Sequence, residues 1–524
     1  MTDQAPAVDR MPRAPFALLV ACVFLVEWLP GVIGSSGVFI DEAYYVACAR
    51  RLALGYVDHP PLSIFVLRLV LDMFGDSVAA MRLVPATAAA ATVWLTARLA
   101  RRLGANATGQ WLAALAVVVA PMYQIIFGFY SMNALELLLW VCVFSLLVEI
   151  ELGDRPVLGL AVGGLLGLGL LTKHTIVLLG ASLGLGLVVA GRRHLKTPWP
   201  WMAAVVACVI GSPNVYWQVV NDWPSLEFYR DQDLHKNIVT SPLAVMANQV
   251  LGMNPATLPL WGAGIGFLLF SAQARRYRHL GWIPVVLLGA VLVGQKSRPD
   301  RIAAMYTLLF AGGGVVLGEL LVGEARRWWR RGLVAGMVAF GALLAPLSLP
   351  LLPPEPTARL ASALGVVPQL EKGAHKATQL PQWLADRYGW EALLADVEAA
   401  LASLAPDERS RVVVVTSSYG NGAPLEFHAG EGFPPVYSPH NNYFLWGPPP
   451  DPVEVAVLVG FGERGADGVM RPHQPLRELF ADVRLFTAHR CRWCVSWRDD
   501  EPIWIARQPL QPVAPRWPEF KVYR

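Results

Sequence analysis

Eleven runs of mostly apolar residues follow one another through the first two thirds of this chain, near 15–34, 78–100, 107–121, 131–150, 157–171, 174–190, 199–217, 255–273, 279–294, 302–323 and 331–352. A helix needs about 20 such residues to cross a hydrocarbon core about 30 Å thick, since backbone polar groups find no partner in lipid except each other. This succession leaves few folds open. It predicts a polytopic α-helical membrane protein of about 11 spans, although 157–171 and 174–190 are short for two full crossings. Composition agrees: 55% of the 524 residues are hydrophobic and 16% charged, whereas a soluble domain carries about a quarter charged residues. A soluble enzyme, a disordered scaffold and a nucleic-acid binder are excluded. The net charge of +4 is too small to signal a polyanionic partner.

Basic residues set the orientation. Arg98, Arg101 and Arg102, then Arg192, Arg193 and Lys196, then Arg275, Arg276 and Arg278, then Arg326, Arg327, Arg330 and Arg331 all fall on one side, with Arg10 and Arg13. That side is the expected cytoplasm, which places the protein in the plasma (inner) membrane as a multi-pass chain. The loops 35–77, 122–130, 172–173, 218–254 and 295–301 then face outward. Glu27-Trp28-Leu29-Pro30 interrupts the first run, and Asp3 and Asp9 precede it; a retained first span fits better than a cleaved leader.

The chain divides into 1–352, the membrane domain with its first outer loop 35–77, and 353–524. The second part opens on the proline-rich hinge Leu351 to Pro356 and then reads as ordinary globular sequence. Trp383 to Leu404 has helical periodicity, while Arg411 to Thr416 and Val453 to Val459 read as buried strands. With an odd number of spans this is a small C-terminal extracytoplasmic α/β domain. Cys491 and Cys494, in C-x-x-C spacing, suit a local structural bridge there. Gly312-Gly313-Gly314 lies inside a span and allows close helix approach; no nucleotide-binding motif appears in the right context.

Ionisable residues are scarce within the spans, where Glu27 and Glu136 stand out near the outward boundary. Polar chemistry collects in the outer loops. The first of these contains Gly37 to Tyr45, with Asp41 and Glu42, and Gly55 to Leu62, with Asp58, His59, Pro60 and Pro61. Residues 42–54 predict an amphipathic helix lying in the interface, anchored by Tyr44 and Tyr45, and 61–74 a second helix. Asp41 suits a helix N-cap and a catalytic carboxylate equally, and the two roles are compatible.

The blocks Asp41-Glu42-Ala43-Tyr44-Tyr45 and Gly55 to Leu62 resemble the first-loop signature of bacterial membrane glycosyltransferases of family 39, relatives of the dolichyl-phosphate-mannose protein mannosyltransferases and the lipid A aminoarabinose transferase. Tyr130 to Glu136, Leu171 to Thr175, Asn254-Pro255, Gly294-Gln295-Lys296 ahead of Tyr306, Tyr419 to Ala423 and His440 to Pro448 continue the likeness over nearly the whole chain. The resemblance implies a GT-C architecture. It also implies inverting transfer of a sugar from a polyprenyl-phosphate donor to an extracytoplasmic lipid, glycan or protein acceptor in the cell envelope.

That chemistry passes through an oxocarbenium-like transition state and needs a base opposite the leaving group. The family's catalytic aspartate falls on Asp41, with Glu42, about 100° away on a helix, in support. A second family carboxylate matches Asn133, which cannot ionise; Glu136, one turn on, either takes over or is paired inside the bundle. The departing lipid phosphate needs positive charge, for which Lys173, His59, Lys296 and Arg298 are the candidates. For Lys173 ordinary snorkelling is the rival reading, and for Lys296 and Arg298 a solvated loop. Ser297 to Arg301 replaces the aromatic pair expected after the lysine. In the aminoarabinose branch the position of Asp58 is a metal ligand, so a divalent metal held by Asp58 and His235 is a further expectation. Two other classes compete with an enzyme: a lipid or glycan transporter or flippase, and a non-catalytic assembly subunit.

Overall fold

The computed structural model describes residues 11–33, 37–153, 155–236, 240–295, 299–366 and 378–524. Each of the eleven apolar runs is helical: α1 (Arg13–Val32), α4 (Val78–Leu103), α5 (Ala107–Val118) with α6 (Pro121–Phe127), α7 (Met132–Gly153), α8 (Leu158–Leu170), α9 (Ile176–Ala190), α11 (Trp199–Val220), α14 (Leu258–Phe270), α15 (Arg278–Gly294), α16 (Met305–Leu320) and α17 (Arg327–Ser348). By length and composition five helices among the described residues can cross a membrane, or six if a bent pair counts as one span. That pair is α5 and α6, kinked by 60°. The expected outer loop 122–130 is thus mostly helix, because Pro121 cannot continue α5 yet is well placed to start α6. Between the long helices lie α2 (Ile40–Ala49), α3 (Leu62–Phe74), α10 (Arg192–Leu195), α12 (Pro224–Asp231) and α13 (Pro242–Gly252).

Glycine sets how closely the central helices approach. A Cβ on Gly313 of α16 would stand 1.8 Å from the Leu260 carbonyl of α14, and one on Gly109 of α5 would stand 2.0 Å from the Gly314 carbonyl. The triple glycine is therefore a packing surface, as its place in an apolar run implies. Backbone cannot yield as a side-chain end can. Gly313→Val is expected to cost at least about 1–3 kcal/mol of overpacking, read as a lower detergent unfolding temperature than that of Gly289→Val, whose added Cβ meets open space.

The two ends of the bundle differ. Arg98 and Arg102 of α4 pair with Glu149 of α7, and Arg193 of α10 pairs with Glu151, so the basic stretches gather at one end. The first turns of α4 and α7 lie at the other end, beside α2 and α3.

Beyond α17 a five-stranded mixed sheet runs in the order 436–437, 412–416, 455–459, 501–509, 480–489. The first three strands are parallel and the last two antiparallel additions. Strands 412–416 and 455–459 are buried throughout, as their unbroken valine-rich sequences require. The periodic stretch 383–404 is two helices, Gln382–Ala385 and Trp390–Ala402. Gly389, at φ +96°, breaks it, a conformation that favours glycine.

Helix α2 departs from expectation. In place of an interfacial helix with Tyr44 and Tyr45 as anchors, it is enclosed: Tyr44 is 0% and Tyr45 4% exposed. It packs between α3 and the helix Tyr419–His428 of the sheet domain. Its second face is apolar enough to be covered by a partner that sequence periodicity does not reveal.

Candidate functional site

The N-terminus of α2 is held from three sides. Phe39 is the N-cap, and its N–H donates to Glu42 Oε2 at 2.9 Å. The cap is therefore Phe39 and its acceptor Glu42, while Asp41 is the second residue inside the helix and not the cap. Arg82 of α4 grips Glu42 with Nε on Oε1 at 2.9 Å and Nη2 on Oε2 at 2.8 Å, and the Tyr130 N–H adds a bond to Oε1 at 2.9 Å. Burial alone would raise the Glu42 carboxyl; Arg82, then Arg387 and the Tyr130 amide, outweigh it and hold it below its ordinary value. Every strong acceptor direction of Glu42 is used, so its job is to fix α2 against α4 and the start of α7.

The strap 386–390 of the C-terminal region completes the cradle. Ile40 N–H donates to the Asp386 carbonyl at 3.2 Å, and Trp390 Nε1 to the Val38 carbonyl at 2.9 Å. Arg387 donates to the Gly128 carbonyl at 3.0 Å beneath the stacked rings of Phe39 and Phe129. Burial, then Arg82, pulls its guanidinium down to about 9.

Asp41 itself is partly exposed. Tyr419 Oη donates to its Oδ1 at 3.3 Å. Tyr419 in turn lies on Tyr44 (centroids 4.3 Å) and His440 (4.9 Å). Tyr44 Oη donates to Asp58 Oδ1 at 3.0 Å, and Asn442 Nδ2 reaches the same oxygen at 3.3 Å. One aromatic and amide wall, built from α2 and the sheet domain, thus joins Asp41 to Asp58.

A second group of residues gathers at the turn between α8 and α9. That turn is tied to the start of α3 by the Leu62 N–H, which donates to the Leu171 carbonyl at 2.7 Å. Lys173 Nζ donates to Asn133 Oδ1 at 2.7 Å and lies 3.2 Å from Glu136 Oε2, while Thr175 holds the other Glu136 oxygen. Glu136 is therefore paired. Its partner is the lysine expected to meet phosphate, and Asn133 bridges to the same ammonium. His174 bonds Asn214 at 3.2 Å and Tyr229 Oη at 2.9 Å; Tyr229 lies within electrostatic reach of Asp58, Arg301 and Glu136.

Other expectations fare differently. His59 is corrected: at 1% exposure it is enclosed by Tyr45 (4.7 Å) and Tyr56 (4.8 Å), and burial lowers its imidazole despite Asp58. A neutral, enclosed ring cannot serve as the phosphate cation. Lys296 and Arg298 lie outside the described residues. His235 is exposed and bound to Asp231 at 2.8 Å. Among the described residues no group of three metal-ligating side chains forms around Asp58. Glu27 is buried beside an apolar cavity of ≈ 130 Å³ between α1, α4, α5 and α6, within reach of Arg82 and Arg387.

Cys491 and Cys494 are free thiols and not a bridge. Hydrogen bonding from Cys494 first, then from His489, brings the Cys491 thiol down to about 5, and Cys494 is pushed well up. Iodoacetamide at about pH 6.5 is therefore expected to label Cys491 well ahead of Cys494, since the thiolate is the nucleophile; peptide mass mapping checks the order, and equal labelling would refute it.

Sequence reading had not singled out Arg82, Arg387, Tyr229 or Asn214. Their signal was weak: an arginine near the start of an apolar span is costly unless it meets a buried acid.

Comparison with known proteins bears on this arrangement. Residues 58–217 match the family model of dolichyl-phosphate-mannose-protein mannosyltransferases. Over 328 residues the chain is 27% identical to the lipid A galacturonosyltransferase RgtD of Rhizobium johnstonii, covering 59% of this chain and 66% of that relative, just under two thirds of its length. The fold is similar to that of ArnT from Cupriavidus metallidurans in the apo state, with a TM-score of 0.60 and 15% identity over 94% of this chain and 97% of that one. It is also similar to ArnT bound to undecaprenyl phosphate, at a TM-score of 0.57 and the same identity and coverage. The Archaeoglobus fulgidus oligosaccharyltransferase is more distant, at 0.51 and 12% identity over 79% of this chain and 62% of that one. In fold this chain is similar to ArnT, and within residues 58–217 its sequence is similar to the dolichyl-phosphate-mannose-protein mannosyltransferases.

Proposed function

We propose that the protein is an inverting glycosyltransferase that moves a sugar from a polyprenyl-phosphate donor to an extracytoplasmic acceptor at the plasma membrane. The observation that carries this reading is the contrast between two adjacent acids. Glu42 is buried and wholly engaged by Arg82 and two amides, whereas Asp41 stays partly exposed against a tyrosine wall.

In the proposed step Asp41 takes the proton of an acceptor hydroxyl. The oxygen attacks the anomeric carbon, and the carbon–oxygen bond to the phosphate breaks on the opposite face, giving the inverted glycoside and polyprenyl phosphate. Lys173, held by Asn133 and Glu136, and Arg301 supply positive charge for the departing phosphate. The proposed step assigns no part to a divalent metal. Supporting the donor class are the undecaprenyl phosphate bound to the similarly folded ArnT and the lipid A activity of the named relative.

The test is to incubate purified protein with a panel of radiolabelled polyprenyl-phosphate sugars and a lipid extract of the envelope. Transfer to a lipid or glycan from at least one donor is expected. Flux of the labelled carrier across proteoliposomes with no new glycosidic product would replace this reading with transport.

A further inference from the structure

At the end of the bundle away from Asp41, three ligand-bearing side chains from three helices converge: Glu151 of α7, His194 of α10 and His279 of α15. Their ligand atoms all lie within 4.8 Å of one another. Glu151 Oε1 is 2.8 Å from His194 Nε2 and 3.7 Å from His279 Nε2. The side chains of Glu151 and His279 are each 3% exposed, and that of His194 is 23%. Glu136 and Glu151 share α7, so this group sits roughly 22 Å from the Lys173 pair at a rise of about 1.5 Å per residue.

Three groups able to ligate a cation face one another. His279 also bonds the backbone of Arg276. His279 Nε2 faces Glu151, and in the Nδ1–H tautomer this nitrogen offers its lone pair to a cation. His194 Nε2 lies 2.8 Å from Glu151 Oε1, to which it donates when it carries the proton, and 3.2 Å from Arg193 Nε; a bound cation would take the place of that proton. The same arginine pairs with Glu151 Oε2 and leaves Oε1 between the two imidazoles. A carboxylate oxygen set between two imidazole nitrogens is matched either by a proton or by a metal cation. One carboxylate and two imidazoles, with a fourth position for water, make a donor set that zinc accepts, and the Arg276 backbone orients His279 as an outer partner does for a metal-bound histidine.

We propose that Glu151, His194 and His279 form a divalent-cation site, suited to zinc, that ties α7, α10 and α15 together at the basic end of the bundle. The rival is a proton shared by the same groups. The test uses the purified full chain in detergent, with Cys491→Ser and Cys494→Ser so that the dithiol takes no metal. After chelator treatment the protein is titrated with Zn²⁺ against a chromogenic chelator, and separately with Co²⁺. About one equivalent of zinc per chain is expected, with affinity lowered roughly tenfold or more by Glu151→Gln and by His279→Gln. Asp58→Asn should leave it unchanged. Co²⁺ should give a visible ligand-field absorption that Zn²⁺ abolishes. Because the Co²⁺ spectrum is read on a chain with all three ligands intact, it decides even if a ligand variant fails to fold. Absence of saturable binding by that chain overturns the proposal, as does binding lost with Asp58→Asn and kept with Glu151→Gln.

Discussion

Replacing Asp41 with asparagine is expected to lower sugar transfer by roughly a hundred- to ten-thousand-fold, the range that a positioned general base contributes, while the protein stays folded and membrane-inserted. The amide has nearly the same shape and can still accept from Tyr419 Oη, but it cannot take a proton from an acceptor hydroxyl. Donor binding should persist, because the cations proposed for the phosphate, Lys173 and Arg301, are untouched. The informative measurement is initial rate with a defined polyprenyl-phosphate sugar beside size-exclusion and unfolding profiles. Wild-type turnover in the variant removes Asp41 from the mechanism. Tyr419→Phe supplies a useful contrast: it deletes one 3.3 Å hydrogen bond and leaves the carboxylate, so a far smaller effect is expected.

The second large effect is structural. Arg82→Ala leaves the Glu42 carboxylate buried without its countercharge, a change that costs about 3–5 kcal/mol and is expected to remove most folded protein from detergent extracts. Replacing both partners with Leu and Met should recover only part of that loss. Glu42 also satisfies the N–H groups of Phe39 and Tyr130, and each buried amide left unpaired costs about 1–3 kcal/mol. The sign with pH follows from the depressed Glu42 carboxyl. Its stabilisation is present above the ordinary value of 4.5 and fades as pH falls through the lower folded value. Unfolding temperatures of the wild type, Arg82→Ala and the double variant, read across acidic pH, check all three statements. An Arg82→Ala protein as stable as the wild type would show that the pair does not hold α2.

These two neighbouring acids also show how much of the site could be read in advance. The loop pattern picked out Asp41-Glu42 and left the role of Asp41 open between cap and base; only the family resemblance assigned the base to it, and neither could say what Glu42 does, because Arg82 lies 40 positions away across a helix pair. Lys173 and Glu136 each drew attention as charges near the outward boundary; that they pair with each other, with Asn133 bridging, is a fact of three-dimensional placement. His59 misled for the opposite reason. In one dimension it is a polar residue before two prolines, and only the closure of three tyrosines around it makes it an enclosed, neutral ring.

The sequence by itself determined the helical bundle and the valine-rich strands of the C-terminal domain. Both follow from local physics: an apolar run of sufficient length must satisfy its own backbone hydrogen bonds, and an unbroken β-branched run must be covered on two faces. Tertiary structure alone decided that α2 is enclosed, that the strap 386–390 holds its start, and that Glu151, His194 and His279 meet. Those outcomes depend on which distant surfaces are complementary in shape and charge. Period and composition along a single chain carry no record of that.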